Sequence, residues 1–478
     1  MTLDWIALPE RHPYFTTAGG EAWTPIGHND AIPWASLAGL FRRANPERVE
    51  RYVAMLASEG VNVLRVMLEY CEFDEHYFEQ PCGVFNPAVV QFWDDFIPLC
   101  ERHGVRLLLT PWDTFWMWNR WDAHPYNQRN GGPCEDRSRL LLCPATRAAM
   151  KARLEFAARR WSGSGAVFAW DVYNEIHPSH AEGSAEAFDR FVTDLSTFLR
   201  EVETREHGRA HPQTVSVFGP HIALDPQRIS ECVYRHPCLD FASAHIYEEG
   251  TIDFPWNTVD PAVSTARLVR EAIAQLSDGR PFLDSESGPI HSYKDWNITL
   301  DADYDEEVFR HMQWAHFASG GAGGGMRWPN RQPHVLTPGM HRAQRGLARF
   351  AGLIDWRAFD RRNLNEEARV SDDGIAVAAC GDEAQAIVWL LRKQWVYQGR
   401  LEENARGCPL ARDAAPVSAS VTVPGLRKGR YGVTAWDTFE GEAVAEFTAE
   451  HAGGALCFET PGIVTDMAFA VRRVDAAE

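Results

Sequence analysis

Over roughly the first 350 positions, short apolar runs the length of strands alternate with stretches whose apolar residues recur at helical spacing. Ala22 to Gly27 is the first predicted strand, ending in His28-Asn29-Asp30. Asn45-Pro46-Glu47 then starts a helix, with asparagine as cap and proline in the first turn, that runs to Gly60. Val61 to Met67, carrying Arg65, is the second strand; Asn86-Pro87 opens a helix that closes at Gly104, and Val105 to Thr110 is the third strand. Further strands are predicted at Val167 to Asn174, Thr214 to Phe218, Asp240 to Tyr247, Pro281 to Ser285 and Gly323 to Trp328. Helices are predicted at Pro144 to Trp161, Ser184 to Thr204, Asp260 to Ser277, Asp303 to Ser319 and Thr337 to Ile354. Eight strands alternating with helices predict an α/β chain folded as a (β/α)8 TIM barrel over residues 1–360. A doubly wound open sheet is the alternative, but the glycine-rich phosphate loop after its first strand is missing.

From about Arg369 the helical period disappears. Seven short alternating runs follow: Gly374 to Cys380, Ala384 to Leu391, Val417 to Val423, Tyr431 to Trp436, Ala443 to Ala449, Ala455 to Thr460 and Met467 to Val471. They predict a small C-terminal β-sandwich domain over 366–478, with Pro416, Pro424 and Pro461 where strands should end. Packing against the barrel is its expected role, and carbohydrate binding the alternative.

Two of the predicted strands end in glutamate. Phe168-Ala169-Trp170-Asp171-Val172-Tyr173 runs into Asn174-Glu175, and Pro281-Phe282-Leu283-Asp284-Ser285 runs into Glu286-Ser287-Gly288, 111 positions later (286 minus 175). A βα-repeat barrel brings the carboxyl ends of its strands to one face, so both carboxyls are expected on opposite walls of one pocket. Paired carboxyl groups cleave glycosidic bonds, one protonating the leaving oxygen while the other attacks or activates water.

Composition narrows the partner. With 45% hydrophobic and 24% charged residues the chain can bury a large core, and a net charge of −19 argues against a nucleic acid or an anionic membrane surface. A neutral small oligosaccharide fits better. The ten cysteines are scattered with no CxxC, and no cofactor or metal is expected. His177 and His180 flank Pro178 without further ligands in evidence, so His177 is placed at the pocket rim. Met1-Thr2-Leu3-Asp4-Trp5 has neither a basic nor an apolar leader segment, which predicts a cytoplasmic protein; a trimmed secreted protein would present the same sequence.

The motifs resemble clan A glycoside hydrolases, most closely the family 5 cellulase and mannanase group. Asn174-Glu175 matches the asparagine and acid/base glutamate at the end of that family's fourth strand, and Pro281 to Gly288 matches the strand that carries its nucleophilic glutamate, here Glu286. Arg65 resembles the arginine that holds the nucleophile, His245 and Tyr247 the sixth-strand pair, and Trp328 the eighth-strand sugar platform. Two positions depart from the pattern: Thr110-Pro111-Trp112-Asp113 replaces a histidine pair, and Gly27-His28-Asn29-Asp30 alters the first-strand arrangement. The resemblance implies a retaining β-glycosidase with Asn174 on the sugar 2-hydroxyl, Arg65 and Tyr247 keeping Glu286 ionised, and repulsion from Glu286 holding the proton on Glu175.

The 33-residue connection from Pro111 to Cys143 is long for a compact domain and rich in aromatics. Trp112, Trp116 and Trp118 are expected to stack on sugar rings with Asp113 bonding hydroxyls, or else to pack over the barrel mouth. His28, Asn29 and Asp30 are expected among the substrate contacts. A blocked cleft predicts exo action on gluco- or manno-configured oligosaccharides. The alternatives are an endo-β-mannanase or endo-β-glucanase, and a carbohydrate-binding barrel without catalysis.

Overall fold

The computed structural model describes residues 2–9, 12–219, 233–247, 257–289, 300–393 and 414–474. Its first large layer is parallel sheet wrapped in helices. One run of strands has the order Gly27–Asp30, Val63–Met67, Arg106–Thr110, Val167–Asp171 and Gln213–Thr214; the other has Ser216–Phe218, Ala242–Ile246 and Phe282–Ser287. Only Val215 separates the two runs at one end, and Arg327 bridges both Ser287 and His28 in parallel at the other. The strands are buried on both faces, as parallel sheet between helices must be.

The helices begin where the sequence placed them. Asn45 accepts the Arg48 N–H at the start of Pro46–Ser58, and Asn86 accepts the Ala88 N–H at the start of Pro87–His103. Gly104 closes the second helix in the left-handed region, φ 77°, where a side chain would be strained.

The fourth strand stops at Asp171 and the fifth is broken at Val215, but the first and eighth differ most from expectation, each for a local reason. The first lies at Gly27–Asp30 rather than Ala22–Gly27, because Ala22–Trp23 is taken into an antiparallel sheet with Phe15–Thr17 and Ile6–Ala7. That small sheet covers the end of the parallel strands remote from the glutamates, with Phe15 edge-on to Phe168 at 4.9 Å and Phe241 at 5.3 Å. The displaced strand starts at Gly27, where only glycine fits: a Cβ there would stand 1.8 Å from the Val63 carbonyl oxygen. The eighth strand, expected at Gly323 to Trp328, is reduced to the single bridging residue Arg327, since Gly323 and Gly325 adopt φ of 80° and 74°.

The C-terminal part is antiparallel. One sheet has six strands, Arg362–Asn363, Ile375–Gly381, Gln385–Arg392, Asp466–Arg473, Gly429–Asp437 and Glu442–His451; the other has three, Arg369–Val370, Ser420–Pro424 and Ala455–Glu459. All seven expected runs are strands, shifted by at most a few residues, and the two sheets share a core that includes Val388, Val421, Val433, Leu456 and Phe469.

This part is fastened to helices Ala302–Ala318 and Pro338–Ala351. Phe350 lies edge-on to Trp436 at 5.7 Å, and Trp314 and Trp389 belong to the same apolar cluster. Within that apolar seam sits one carboxylate. Asp466 accepts from Arg310 Nη2 (3.2 Å), Trp389 Nε1 (3.0 Å), Thr438 Oγ1 (2.5 Å) and Thr465 Oγ1 (3.0 Å). Burial alone would raise its pKa, but Arg310, His311 and Thr438 outweigh that and hold it well below the usual carboxylate range.

Removing the carboxylate takes the nearer counter-ion from Arg310, leaving Glu307 at 3.7 Å, and strips Trp389 and Thr438 of their acceptor, so Asp466→Ala is expected to lower unfolding free energy by about 1–3 kcal/mol. Because the folded pKa is depressed, this stabilisation is complete above the unfolded value near ~3.9 and fades as pH falls below it. Urea unfolding at pH 7 and pH 3 checks both points: the gap between parent and variant should be wide at pH 7 and narrower at pH 3.

Candidate functional site

The carboxyl ends of the parallel strands surround a cavity of about 450 Å³, lined by Glu175, Glu286, Asn174, Tyr247, Asp113 and Trp328 among others. Glu286 is delivered by Phe282–Ser287, where it stands in register with His245 of the neighbouring strand. Glu175 arrives differently. It follows Val167–Asp171 by a short turn and adopts φ 44°, a left-handed conformation uncommon for a residue with a side chain. Its N–H donates to Ser216 Oγ (3.0 Å), and that hydroxyl donates to Asp171 Oδ2 (2.8 Å), so the unusual backbone is held from two neighbouring strands.

Beneath both glutamates lies Arg65, whose side chain is fully buried. Nη1 donates to Glu286 Oε2 (2.8 Å) and Asn29 Oδ1 (2.9 Å); Nη2 donates to Asp171 Oδ2 (2.9 Å) and Asn174 Oδ1 (2.5 Å). Tyr247 donates its hydroxyl to the other Glu286 oxygen at 2.6 Å. His245 Nδ1 lies 2.8 Å from Glu175 Oε1 and 3.6 Å from Glu286 Oε2, so one imidazole links the pair.

Burial raises both acids, against different sets of partners. Burial raises Glu175 to about 7, opposed only by Arg65, even though 23% of its side chain remains open to the cavity. The cause expected from sequence, repulsion by Glu286, is therefore replaced by desolvation. Burial, with a lesser contribution from the Glu175 charge, also raises Glu286; His245, Arg65 and the Tyr247 hydroxyl offset part of that rise, and the cation touches Glu286 rather than Glu175. His245 falls to about 4 through burial, so the imidazole is neutral. A protonated Glu175 donates to Nδ1, and an ionised Glu175 accepts from it.

The expected site residues fall into three groups. Glu175, Glu286, Asn174, Tyr247, Trp328, Asp113, Trp116, Trp118 and His177 line the cavity. Arg65, Asn29 and His245 lie below it and act on the lining residues; Asn29 also donates to the carbonyls of Ser285 and Met326. His28, Asp30 and Trp112 do not reach the cavity. Side chains alternate along a strand, so with Asn29 inward, His28 and Asp30 point outward: His28 Nε2 and Asp30 Oδ2 both lie 2.9 Å from the Tyr52 hydroxyl. Trp112 is buried under the Arg153 guanidinium, 5.4 Å from its ring.

The long segment after Thr110 is ordered around helix Thr114–Asn119, capped by Asp113, whose Oδ1 accepts the Trp116 N–H. Its aromatics divide between cavity wall, Phe115, Trp116 and Trp118, and packing, Trp121 and Tyr126. Residues that sequence reasoning passed over include Asp171, Thr114, Tyr70, Glu72 and Phe218. Only Asp171 left a signal, as a charged residue inside an apolar strand.

Glu69, Cys71 and His124 also cluster closely enough to hold a metal ion, but their donors do not fit one. His124 Nδ1 accepts the Tyr126 N–H, which leaves the proton on Nε2, and Glu69 is engaged by Arg153 and the Phe78 N–H. Cys232 and Cys408 lie outside the described residues. Among the described residues no helix is long and apolar enough to cross a membrane.

No protein-family model matches the chain, and no curated protein matches it in sequence. Solved structures do match. A glycoside hydrolase family 5 protein from Bacteroides vulgatus ATCC 8482 aligns at 13% identity and a TM-score of 0.59, covering 99% of this chain and 95% of that one. A glycoside hydrolase family 5 mannosidase from Rhizomucor miehei aligns at 15% identity and 0.52, covering 74% and 99%. A glycoside hydrolase family 30 subfamily 8 xylanase from Clostridium acetobutylicum aligns at 12% and 0.50, covering 95% and 97%. The likeness is one of fold.

Three carboxyls, Asp30 at about 7, Asp113 at about 8 and Glu175 at about 7, are raised by burial into the neutral range. Infrared difference spectra between pH 5.5 and 9 should show protonated carboxyl signal disappearing, and Glu175→Gln should remove one component of it. An unchanged difference spectrum in that variant would mean that Glu175 ionises in the ordinary carboxylate range.

Proposed function

We propose that the protein is a retaining β-glycoside hydrolase built on a closed (β/α)8 barrel, residues 1–360, with a β-sandwich domain over 366–478. The observation that carries the proposal is the pairing of two glutamates at the carboxyl end of the parallel sheet, one in Phe282–Ser287 and one on the turn after Val167–Asp171: one carboxylate oxygen of each lies within 4.8 Å of the other and of His245 Nδ1, on the wall of one cavity. Retaining enzymes hold their carboxyls ~5–5.5 Å apart, whereas inverting ones leave ~6.5–9.5 Å for a water. The fold likeness to glycoside hydrolases supports the class. Barrel closure is supported by Arg327, which bridges the last strand to the first.

In this proposal Glu286 is the nucleophile. Its charge is stabilised by Arg65 and Tyr247, and it attacks the anomeric carbon to form a glycosyl ester. Glu175, protonated up to about pH 7, gives its proton to the leaving oxygen and then, as a carboxylate, takes one from the water that cleaves the ester. His245 accommodates both states by exchanging donor and acceptor roles at Nδ1. Asn174, fixed by Arg65 and Thr114, keeps one amide N–H for the sugar 2-hydroxyl.

The substrate is proposed to be a β-linked oligosaccharide of gluco- or manno-configured sugars. One structural neighbour is a mannosidase and another a xylanase, and the wall formed by Trp116, Trp118 and Trp328 suits pyranose faces. The aromatic wall from Phe115 to Trp118 supports exo action. A metal-dependent hydrolase is the alternative, because Glu175, His245 and Glu286 are close enough to share an ion. Against it, the Arg65 guanidinium already supplies the positive charge 2.8 Å from Glu286.

Glu175→Gln should slow hydrolysis of a poor-leaving-group β-glycoside by about 10²–10⁴-fold. Glu286→Gln should slow it at least as much, and both variants should keep the parent's far-UV circular dichroism. Because the acid must be protonated, kcat should fall as pH rises through about 7, the value to which Glu175 is raised. Proton NMR of the first product should show the β-anomer; an α-anomer would exclude the double displacement.

A further inference from the structure

The turn after Val63–Met67 carries an aromatic ring on the outside of the cavity wall. Phe73 is 46% exposed, yet its backbone is firmly held. Arg120 donates to the carbonyls of Cys71 and Glu72 and to Asp74 Oδ1, and Asp113 Oδ2 accepts the Cys71 N–H at 2.9 Å. The ring therefore sits on a turn pinned from below, by the same Asp113 that caps the helix of the cavity wall.

Phe73 is also continuous with the cavity. Tyr70 and Glu72 line it, and the Phe73 ring lies 6.5 Å from the Tyr70 ring with the planes 26° apart. Tyr70 and the half-buried Glu72 thus belong to the wall, and Phe73, next in the chain and set edge-on to His76 at 5.9 Å, adds a partly exposed ring nearly parallel to that of Tyr70. An aromatic face beside a carboxylate is what one pyranose ring needs: C–H groups against the ring, hydroxyls to the oxygens.

We propose that Phe73 and Glu72 form an outer sugar subsite, which holds one pyranose ring of the substrate beyond the rings enclosed in the cavity. The occupant is the same oligosaccharide whose bond is cleaved inside, so the subsite rests on the carbohydrate assignment made above. It implies a preference for chains long enough to reach from the two glutamates to the rim, over disaccharides.

Calorimetric titration tests it, using the full chain carrying Glu175→Gln to stop turnover and β-1,4-linked tetraoses and bioses of mannose, glucose and xylose. With the preferred sugar, Phe73→Ala should weaken tetraose binding about three- to ten-fold, a stacking-sized loss, and lower the tetraose-to-biose affinity ratio by the same factor. Phe73→Trp should keep or raise that ratio. A ratio that moves less than two-fold in Phe73→Ala, or a chain that binds none of the tetraoses, overturns the subsite. If the tetraose binds in a Phe73-dependent way while the parent protein hydrolyses no glycoside, the hydrolase assignment fails and the subsite stands. If the parent protein hydrolyses glycosides and the ratio does not move, the subsite fails and the hydrolase assignment stands.

Discussion

The cavity is arranged around a fully buried guanidinium. Desolvating a charge without partners is prohibitive, so Arg65 must be surrounded by acceptors, and it is, by Asp171, Glu286, Asn174 and Asn29. Asp171 and Asn174 come from Val167–Asp171 and the turn after it, Glu286 from Phe282–Ser287 and Asn29 from Gly27–Asp30. Satisfying one arginine therefore fixes where these strand ends stand relative to one another and to Val63–Met67, which carries it. It also bears on charge: the guanidinium donates to Asp171 and Glu286, while burial raises Glu175 to about 7. The chemical difference between the two glutamates follows from burial, opposed at Glu286 by direct contacts with Arg65 and Tyr247.

The remainder of the scaffold supports that arrangement. Ser216 ties the left-handed Glu175 backbone to Asp171, which is itself an Arg65 partner, so the strained residue and the buried cation share one network. Thr114 reaches from the aromatic helix to fix Asn174, and Asp113 caps that helix while holding the Cys71 turn, so the cavity walls are braced against the same centre. Farther out, Asp466 performs for the C-terminal sheets what the carboxylates perform for Arg65, a buried ion pair set in an apolar seam.

The period of the apolar runs made most of the fold legible, because both parallel strands between helices and half-buried antiparallel strands leave regular patterns. The pattern failed where glycine or pairing intervened. Gly323 to Gly325 carry no side chains to mark a strand, and Ala22–Trp23 was claimed by a hairpin partner that no local signal identifies. At the site, the glutamates stood out because apolar runs end in them. Asp171 was overlooked, since its importance lies in Arg65, 106 positions away. His28 and Asp30 were misplaced because the one-residue register of a strand decides which side faces inward, and the sequence of a four-residue strand does not disclose it. Phe73 sits in a turn whose rigidity comes from Arg120, 48 to 49 positions after the carbonyls it holds.

If Glu286 attacks the sugar, a covalent glycosyl ester must form on it, and that ester can be trapped. An activated 2-deoxy-2-fluoro glycoside of the sugar that the enzyme turns over slows breakdown of such an ester, so intact-protein mass spectrometry followed by peptide mapping locates the bond. One adduct is expected, on the peptide that contains Glu286, formed in parallel with loss of activity. An adduct on another carboxyl, or inactivation-free turnover that releases the inverted anomer, would contradict the role assigned to Glu286.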